Sequence, residues 1–146
     1  MKEFISVAIL LSLALSSPAR AQVDVDELYN LVEHHYVDND GVQIHYVSLG
    51  EGPVVLFIHG FPNQWYDWRY QMADLADDYR VAAISLRGYN RSDHPKGVEN
   101  YDIPHLTSDV VAVLDDLGID NNGGATIVGH DWGASSPGLS PSCIHG

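Results

Sequence analysis

The sequence is poor in basic residues and contains a single cysteine. Only 7 of its 146 residues are Lys or Arg, against 20 Asp and Glu, and the formal net charge is −13. Proteins that bind nucleic acid without regard to sequence need Lys and Arg at the phosphates, so this class is excluded. Docking on anionic membranes is disfavoured for the same reason. The one cysteine, Cys143, can form no internal disulfide.

Metal-ligand spacing is also missing. The 8 histidines are scattered along the chain, apart from the adjacent pair His34 and His35, and none falls in a zinc-binding pattern. We therefore expect neither a metal ion nor another cofactor. The length of the chain suits one domain.

Long apolar runs are absent except near the amino terminus. The run from Ile5 to Leu15 follows a basic residue and precedes a small-X-small pattern at residues 19–21. This arrangement is typical of a signal peptide over residues 1–21, cleaved before Gln22. The run is short for a membrane span, and a retained anchor is the competing interpretation. We expect export to the periplasm or beyond, without membrane attachment after cleavage.

Residues 22–134 alternate between strand and helix patterns. The predicted strands are His34 to Val37, Val42 to Ser48, Val54 to Ile58, Val81 to Ser85 and Ala125 to Val128. The predicted helices are a short one within residues 22–36, one from Trp65 to Leu75, and one marked by apolar residues from Leu106 to Leu117. Asp102 before this last helix is a possible cap, and Gly118 is its expected stop. Asn39-Asp40-Gly41 predicts a hairpin turn between the first two strands. This order predicts an α/β fold whose sheet is mainly parallel, with helices on both faces.

The motif Gly129-His130-Asp131-Trp132-Gly133 is the most informative segment. A strand ends there, and small residues flank a central residue that turns straight towards a helix. This is typical of a nucleophile elbow, in which the central residue lies on a strained turn. Asp131 stands where serine is usual. An ionised carboxylate can displace a leaving group at a saturated carbon and so form an ester of the enzyme. A plain helix cap is the alternative role for Asp131.

A second motif, His59-Gly60-Phe61-Pro62, follows the buried strand Val54 to Ile58. A loop at this point commonly supplies one backbone donor of an oxyanion hole. We expect the N–H of Phe61 to be that donor and the N–H of Trp132 to be the second. Both would stabilise negative charge when water attacks the ester of Asp131.

These two motifs, with Leu86-Arg87-Gly88-Tyr89-Asn90-Arg91-Ser92-Asp93 between them, resemble the epoxide hydrolase branch of the α/β-hydrolase family. The likeness runs from about Tyr36 to Ala134. It implies an α/β-hydrolase fold, a small-molecule epoxide substrate and structural roles for His59 and His130. Haloalkane dehalogenases share the nucleophile, so a halogenated substrate is the alternative. The combination of Phe61 with Trp132 favours the epoxide.

The resemblance also implies a catalytic histidine, a relay acid and cap-domain tyrosines after the nucleophile. Residues 135–146, rich in Ser and Pro, match none of these. We expect them to form an unstructured tail, with the α/β-hydrolase domain, residues 22–134, truncated after the elbow. A chain of this kind is expected to be inactive alone. A non-catalytic remnant that binds a partner is a third hypothesis, and nothing in the sequence fixes the oligomeric state.

Overall fold

The computed structural model describes residues 23–119 and 124–134. The predicted signal peptide, residues 1–21, and the predicted tail, residues 135–146, lie outside the described residues. Within the described part of the chain, no helix is long and apolar enough to cross a bilayer.

A five-stranded mixed sheet forms the centre of the fold. Its strands are β1 (Glu33–Asn39), β2 (Val42–Leu49), β3 (Val54–Ile58), β4 (Arg80–Ile84) and β5 (Ala125–Gly129). Their order across the sheet is β1-β2-β4-β3-β5. Strand β2 pairs antiparallel with both β1 and β4, whereas β4, β3 and β5 run parallel. The carboxyl ends of β3, β4 and β5 therefore meet at one edge, where an open α/β sheet places its ligand.

The hairpin turn between β1 and β2 is the one that the sequence predicted. Asp40 and Gly41 have φ angles of 53° and 83°, and Asn39 pairs with Val42 across the turn. Two residues at positive φ form the turn whose twist matches that of the flanking strands. The register of the hairpin is therefore set by two adjacent residues that tolerate this conformation.

Helices cover both faces of the sheet, as predicted. The helices are α1 (Leu28–Leu31), α2 (Arg69–Leu75) and α3 (Ile103–Asp116), with a 3₁₀ turn at Trp65–Trp68. Strand β3 is buried along its whole length, and its side chains alternate between two cores. Val55 and Phe57 pack with α1, α2 and the 3₁₀ turn, whereas Leu56 and Ile58 pack with α3.

The segment predicted as one helix from Trp65 to Leu75 is divided into two parts. A 3₁₀ turn covers Trp65–Trp68, and the α-helical hydrogen bonding of α2 begins at Arg69. Trp65 is 1% exposed, and the ring of Trp68 stacks on Phe57 with centroids 4.9 Å apart. Both indoles thus belong to the core, as the helical spacing of the apolar residues predicted.

Helix α3 begins and ends where its sequence predicts. The Oδ1 atom of Asp102 accepts a hydrogen bond from the N–H of His105 at 3.0 Å, and Pro104 lies in the first turn. Both features stabilise a helix amino terminus. Gly118, with φ 81°, follows the last turn and lets the chain leave the helix.

Candidate active site

Asp131 lies on a strained turn directly after β5. Its φ angle is 55°, a conformation that non-glycine residues rarely adopt. The flanking glycines are required by close contacts. A Cβ atom at Gly129 would lie 2.5 Å from the carbonyl oxygen of Gly133, and one at Gly133 would lie 2.4 Å from that of Ile58. The strained turn with small flanking residues is therefore confirmed.

The loop after β3 packs directly against this turn. A Cβ atom at Gly60 would lie 2.6 Å from the Cβ of Asp131. The backbone N–H of Phe61 donates a hydrogen bond to the Oδ2 atom of Asp131 at 3.1 Å, and the Phe61-Pro62 peptide is cis. Two segments that lie 70 residues apart in sequence are thus in contact through the predicted donor and the predicted nucleophile.

A cleft of about 380 Å³ opens beside Asp131. It is lined by Gly60, Phe61, Leu86, Arg87, Tyr89, Tyr101, Leu106 and Trp132. The side chains of Phe61 and Trp132 are 67% and 50% exposed, so their rings border the mouth of the cleft. Burial, and to a smaller extent the negative charge of Asp131, raises the pKa of the Tyr89 hydroxyl. The structure thus brings together the three predicted site residues, Asp131, Phe61 and Trp132.

Tyr101 is a lining residue that the sequence did not predict. Its hydroxyl donates to the carbonyl oxygen of Pro95 at 2.9 Å. Its ring fills the space that a side chain at Gly88 would occupy, since a Cβ there would lie 2.7 Å from the ring. The ring therefore forms a fixed wall of the cleft. No pattern in the neighbouring sequence indicates that Tyr101 lines the cleft, because its position depends on how the segment after β4 packs in the tertiary structure.

His59 has the structural role that the resemblance implied. Its Nε2 atom accepts a hydrogen bond from the N–H of Leu86 at 3.1 Å, so Nδ1 carries the proton and donates to the carbonyl oxygen of Gly60 at 2.9 Å. Burial lowers the pKa of His59, and the ring is neutral. His59 therefore ties the loop that carries Phe61 to the segment after β4.

A buried ion pair anchors the same segment to α3. The Nε and Nη2 atoms of Arg87 donate to the two carboxylate oxygens of Asp109 at 2.7 and 2.6 Å, and both side chains are almost fully buried. Arg87 also donates to the carbonyl oxygen of Asn100 at 2.9 Å, and the side chain of Asn39 donates to Asp109 at 2.7 Å. Hydrogen bonding to Asp109 raises the pKa of Arg87, so the guanidinium stays charged.

The sequence indicates the ion pair of Arg87 with Asp109, although none of the motifs described above predicts it. Asp109 lies three residues after Leu106 and four before Val113, which places it on the buried face of α3. A carboxylate on such a face needs a cation or several donors. A search for that cation leads to Arg87, the one basic residue that is nearly fully buried in the described part of the chain.

A chain of polar side chains joins the hairpin to the end of β4. His45 is fully buried, its Nδ1 atom lies 2.9 Å from the Oγ of Ser85, and its Nε2 atom lies 2.8 Å from the Nδ1 of His34. The N–H of His45 also donates to the Oγ of Ser92 at 2.8 Å. Burial, followed by the nearby His34, lowers the pKa of His45 to about 4. These bonds hold the carboxyl end of β4 in place. Leu86, whose N–H donates to His59, lies just after that end.

The described residues hold no group of three or more His, Cys, Asp or Glu side chains placed to bind a metal ion.

Comparison with known proteins identifies the fold family of the chain. Residues 53–135 match the sequence pattern of the α/β-hydrolase fold family. The chain is 48% identical over 103 residues to Epoxide hydrolase 1 of Caenorhabditis elegans, and the match covers 69% of this chain and 25% of that protein. It is 44% identical over 104 residues to Epoxide hydrolase 2 of Siraitia grosvenorii, covering 70% of this chain and 32% of that protein.

Solved structures of epoxide hydrolases also match this chain. An epoxide hydrolase from Vigna radiata superimposes with a TM-score of 0.68 at 44% identity, over 73% of this chain and 34% of that one. An epoxide hydrolase from an endophytic Streptomyces gives 0.69 at 44% identity, over 77% and 34%. The chain spans between a quarter and a third of the length of the curated relatives named above. It belongs to the α/β-hydrolase fold family and matches the amino-terminal portion of that family's epoxide hydrolase branch.

Proposed function

We propose that the protein acts as a hydrolase of the epoxide hydrolase type, with Asp131 as its nucleophile and a small-molecule epoxide as its substrate. The observation that carries the proposal is the position of the Asp131 carboxylate. It lies on a strained turn beside an aromatic cleft, 3.1 Å from the N–H of Phe61. The two relatives at 48% and 44% identity are both named epoxide hydrolases, which supports an epoxide as the substrate.

In the first step, one carboxylate oxygen of Asp131 bonds to an epoxide carbon, and the ring C–O bond at that carbon breaks. The released alkoxide takes a proton from an acid, for which the resemblance implies cap-domain tyrosines. An ester joins the opened substrate to Asp131. Because the carboxylate is already ionised, this step requires no base.

In the second step, water attacks the carbonyl carbon of this ester and a diol is released. Negative charge develops on the carbonyl oxygen in the transition state. The N–H of Phe61, already directed at Oδ2, and the N–H of Trp132 would stabilise it. A base must take the proton of the water. His59 cannot serve, because both of its ring nitrogens are bonded to backbone groups. The resemblance places that base after the elbow.

Adduct formation tests the first step directly. The purified chain is incubated with a simple aryl epoxide, and its intact mass is measured. We expect one epoxide mass per chain, located on Asp131 by peptide mapping, and no adduct on Asp131→Asn. Diol formation is measured in parallel as the test of the second step. The assignment fails if the adduct is absent, or if it persists in Asp131→Asn.

A dehalogenase with the same nucleophile is the second candidate. The half-exposed indole of Trp132 borders the cleft, where its N–H could hold a departing halide. An alkyl bromide with the carbon skeleton of the epoxide separates the two functions. Faster formation of the Asp131 ester from the bromide, with release of bromide, would favour dehalogenation over epoxide opening.

Export is proposed from the sequence alone. Residues 1–21 would direct the chain across a membrane and be removed, leaving Gln22 as the first residue. Amino-terminal sequencing of the protein recovered from its producing cell tests this proposal. An intact Met1 on membrane-bound material would support a retained anchor instead.

A further inference from the structure

A tyrosine–arginine patch lies on the surface and is not used by the proposed chemistry. It consists of Tyr29, Tyr66, Arg69, Tyr70 and Arg91. The guanidinium carbon of Arg69 lies 4.9 Å from the ring centre of Tyr66 and 4.4 Å from that of Tyr70. The Nη2 atom of Arg91 donates to the hydroxyl of Tyr29 at 3.3 Å, and Tyr29 meets Tyr66 edge to face at 5.9 Å. The five side chains thus form one connected surface.

Among the described residues, neither arginine of the patch has a carboxylate partner like that of Arg87. Arg87 is paired with Asp109 inside the protein, and Arg80 donates to the carbonyl oxygen of Leu117. Neither Arg69 nor Arg91 forms an ion pair with a carboxylate in the described part of the chain. In a chain with 20 acidic and 7 basic residues, two guanidiniums without such a partner remain open to an external anion.

The patch is both exposed and firmly held. Tyr29 is 47% exposed and Tyr70 is 55% exposed. Tyr29 stacks on the fully buried Trp65 with centroids 5.8 Å apart, and Arg69 also donates to the carbonyl oxygen of Tyr66 at 3.2 Å. Tyr and Arg are enriched in the residues that carry binding energy at protein interfaces. Side chains that are already fixed lose little entropy when a partner binds.

We propose that the tyrosine–arginine patch is a docking surface for an acidic peptide segment of a partner protein. Carboxylates of the segment pair with Arg69 and Arg91, whose planar guanidiniums can bind them through two hydrogen bonds. Apolar side chains between those carboxylates lie on the exposed rings of Tyr29 and Tyr70. An extended polyanion or an anionic membrane fits poorly, because the patch offers only two cations and both need many more to bind.

Binding of a defined peptide tests the patch. The probe is a capped, fluorescein-labelled peptide that alternates glutamate with leucine, and the control peptide has glutamine in place of glutamate. Fluorescence anisotropy with the full chain should give saturable binding of the acidic probe that weakens as salt is added. Arg91→Glu should weaken binding by roughly tenfold or more, because it removes the hydrogen bonds of a guanidinium to a carboxylate and puts a like charge in its place.

A matched variant separates the patch from the overall charge. Lys96→Glu makes the same change in net charge at an exposed position outside the patch, and it should leave the affinity within about twofold. Arg91 is exposed and its side-chain hydrogen bond goes to the hydroxyl of Tyr29, so its replacement should leave the fold intact, which near-ultraviolet circular dichroism checks. Equal losses in both variants, or equal binding of the glutamine peptide, would overturn the proposal. Tighter binding of anionic lipid vesicles or of a single-stranded oligonucleotide would overturn it too.

Discussion

Asp109 and Asp131 are the same residue type in opposite surroundings. Asp109 is fully buried on the apolar face of α3, where Arg87 and Asn39 saturate its oxygens. Asp131 lies at the surface end of β5 on a backbone turn with φ 55°, and the N–H of Phe61 contacts one of its oxygens. The first carboxylate is enclosed by its partners inside the protein, whereas the second lies at the surface between Phe61 and Trp132, which line the cleft.

The two aspartates are expected to affect different properties of the protein, Asp109 its stability and Asp131 its chemistry. A buried charge that loses its partner is strongly destabilising, so Asp109 is expected to matter to the free energy of unfolding. A residue on a strained turn contributes little to stability, and such strain is typical of functional sites. Replacing the two aspartates should therefore affect different measurements.

The largest stability effect is expected for Asp109→Ala. The change leaves the guanidinium of Arg87 buried without its carboxylate, which costs about 3–5 kcal/mol of unfolding free energy. Urea unfolding followed by circular dichroism measures it. The double variant Arg87→Met with Asp109→Leu removes both charges and should be more stable than Asp109→Ala. A double variant that is less stable than the single one would refute this account of the pair.

The next largest effect is a dependence of stability on pH that arises at His45. Burial lowers the pKa of His45 from 6.5 to about 4, so the unfolded chain binds a proton more readily than the folded one. The stabilisation is complete above pH 6.5 and is lost as the pH falls to about 4, with a total change of about 3 kcal/mol. Unfolding free energies measured by urea at several values between these limits test the slope.

Several charged or titratable groups surround His45, and a variant isolates its contribution. His34 and His35 of β1 and Arg91 of the segment after β4 all act to lower its pKa, and the ring of Tyr36 packs beside it. His45→Gln removes the titration and keeps a polar side chain opposite Ser85. Its stability should fall less steeply with acid than that of the unchanged protein. Equal slopes would show that His45 is not responsible.

A smaller effect is expected for Tyr101→Phe. The change removes the hydrogen bond to the carbonyl oxygen of Pro95 but keeps the ring against Gly88. We expect a loss of about 1 kcal/mol of unfolding free energy, measured by urea unfolding. The rate of adduct formation on Asp131 should change little, because the wall of the cleft remains. A large fall in that rate would show that the hydroxyl itself acts in the cleft.

The smallest stability effect is expected for Asp131→Asn. Asparagine tolerates positive φ as well as aspartate does, so the unfolding free energy should change by less than about 0.5 kcal/mol while adduct formation is lost. Asp131→Ala should cost more, because alanine is less suited to this conformation. If Asp131→Asn destabilised the protein as much as Asp109→Ala, the contrast between the two aspartates would be wrong.

Much of the fold was predictable because its signals are local. The hairpin follows from Asp40-Gly41, β3 from a continuous apolar run, and α3 from its cap at Asp102 and its stop at Gly118. The division of the Trp65 to Leu75 segment was missed, because apolar spacing alone does not separate a 3₁₀ turn from the helix that follows it. The nucleophile and oxyanion roles of Asp131, Phe61 and Trp132 remain predictions that the geometry supports.

The sequence by itself determined the strands, the helices and the strained turn at Asp131. The spacing of apolar residues within a few positions fixes which face of a strand or helix is buried, and the small residues mark where the turn needs them. Only the tertiary structure decided that β4 lies between β2 and β3, that Arg87 pairs with Asp109, and that Tyr101 forms a wall of the cleft. Each of these depends on groups far apart in the chain. Their pairing is set by the packing of whole elements, which no short segment of sequence encodes.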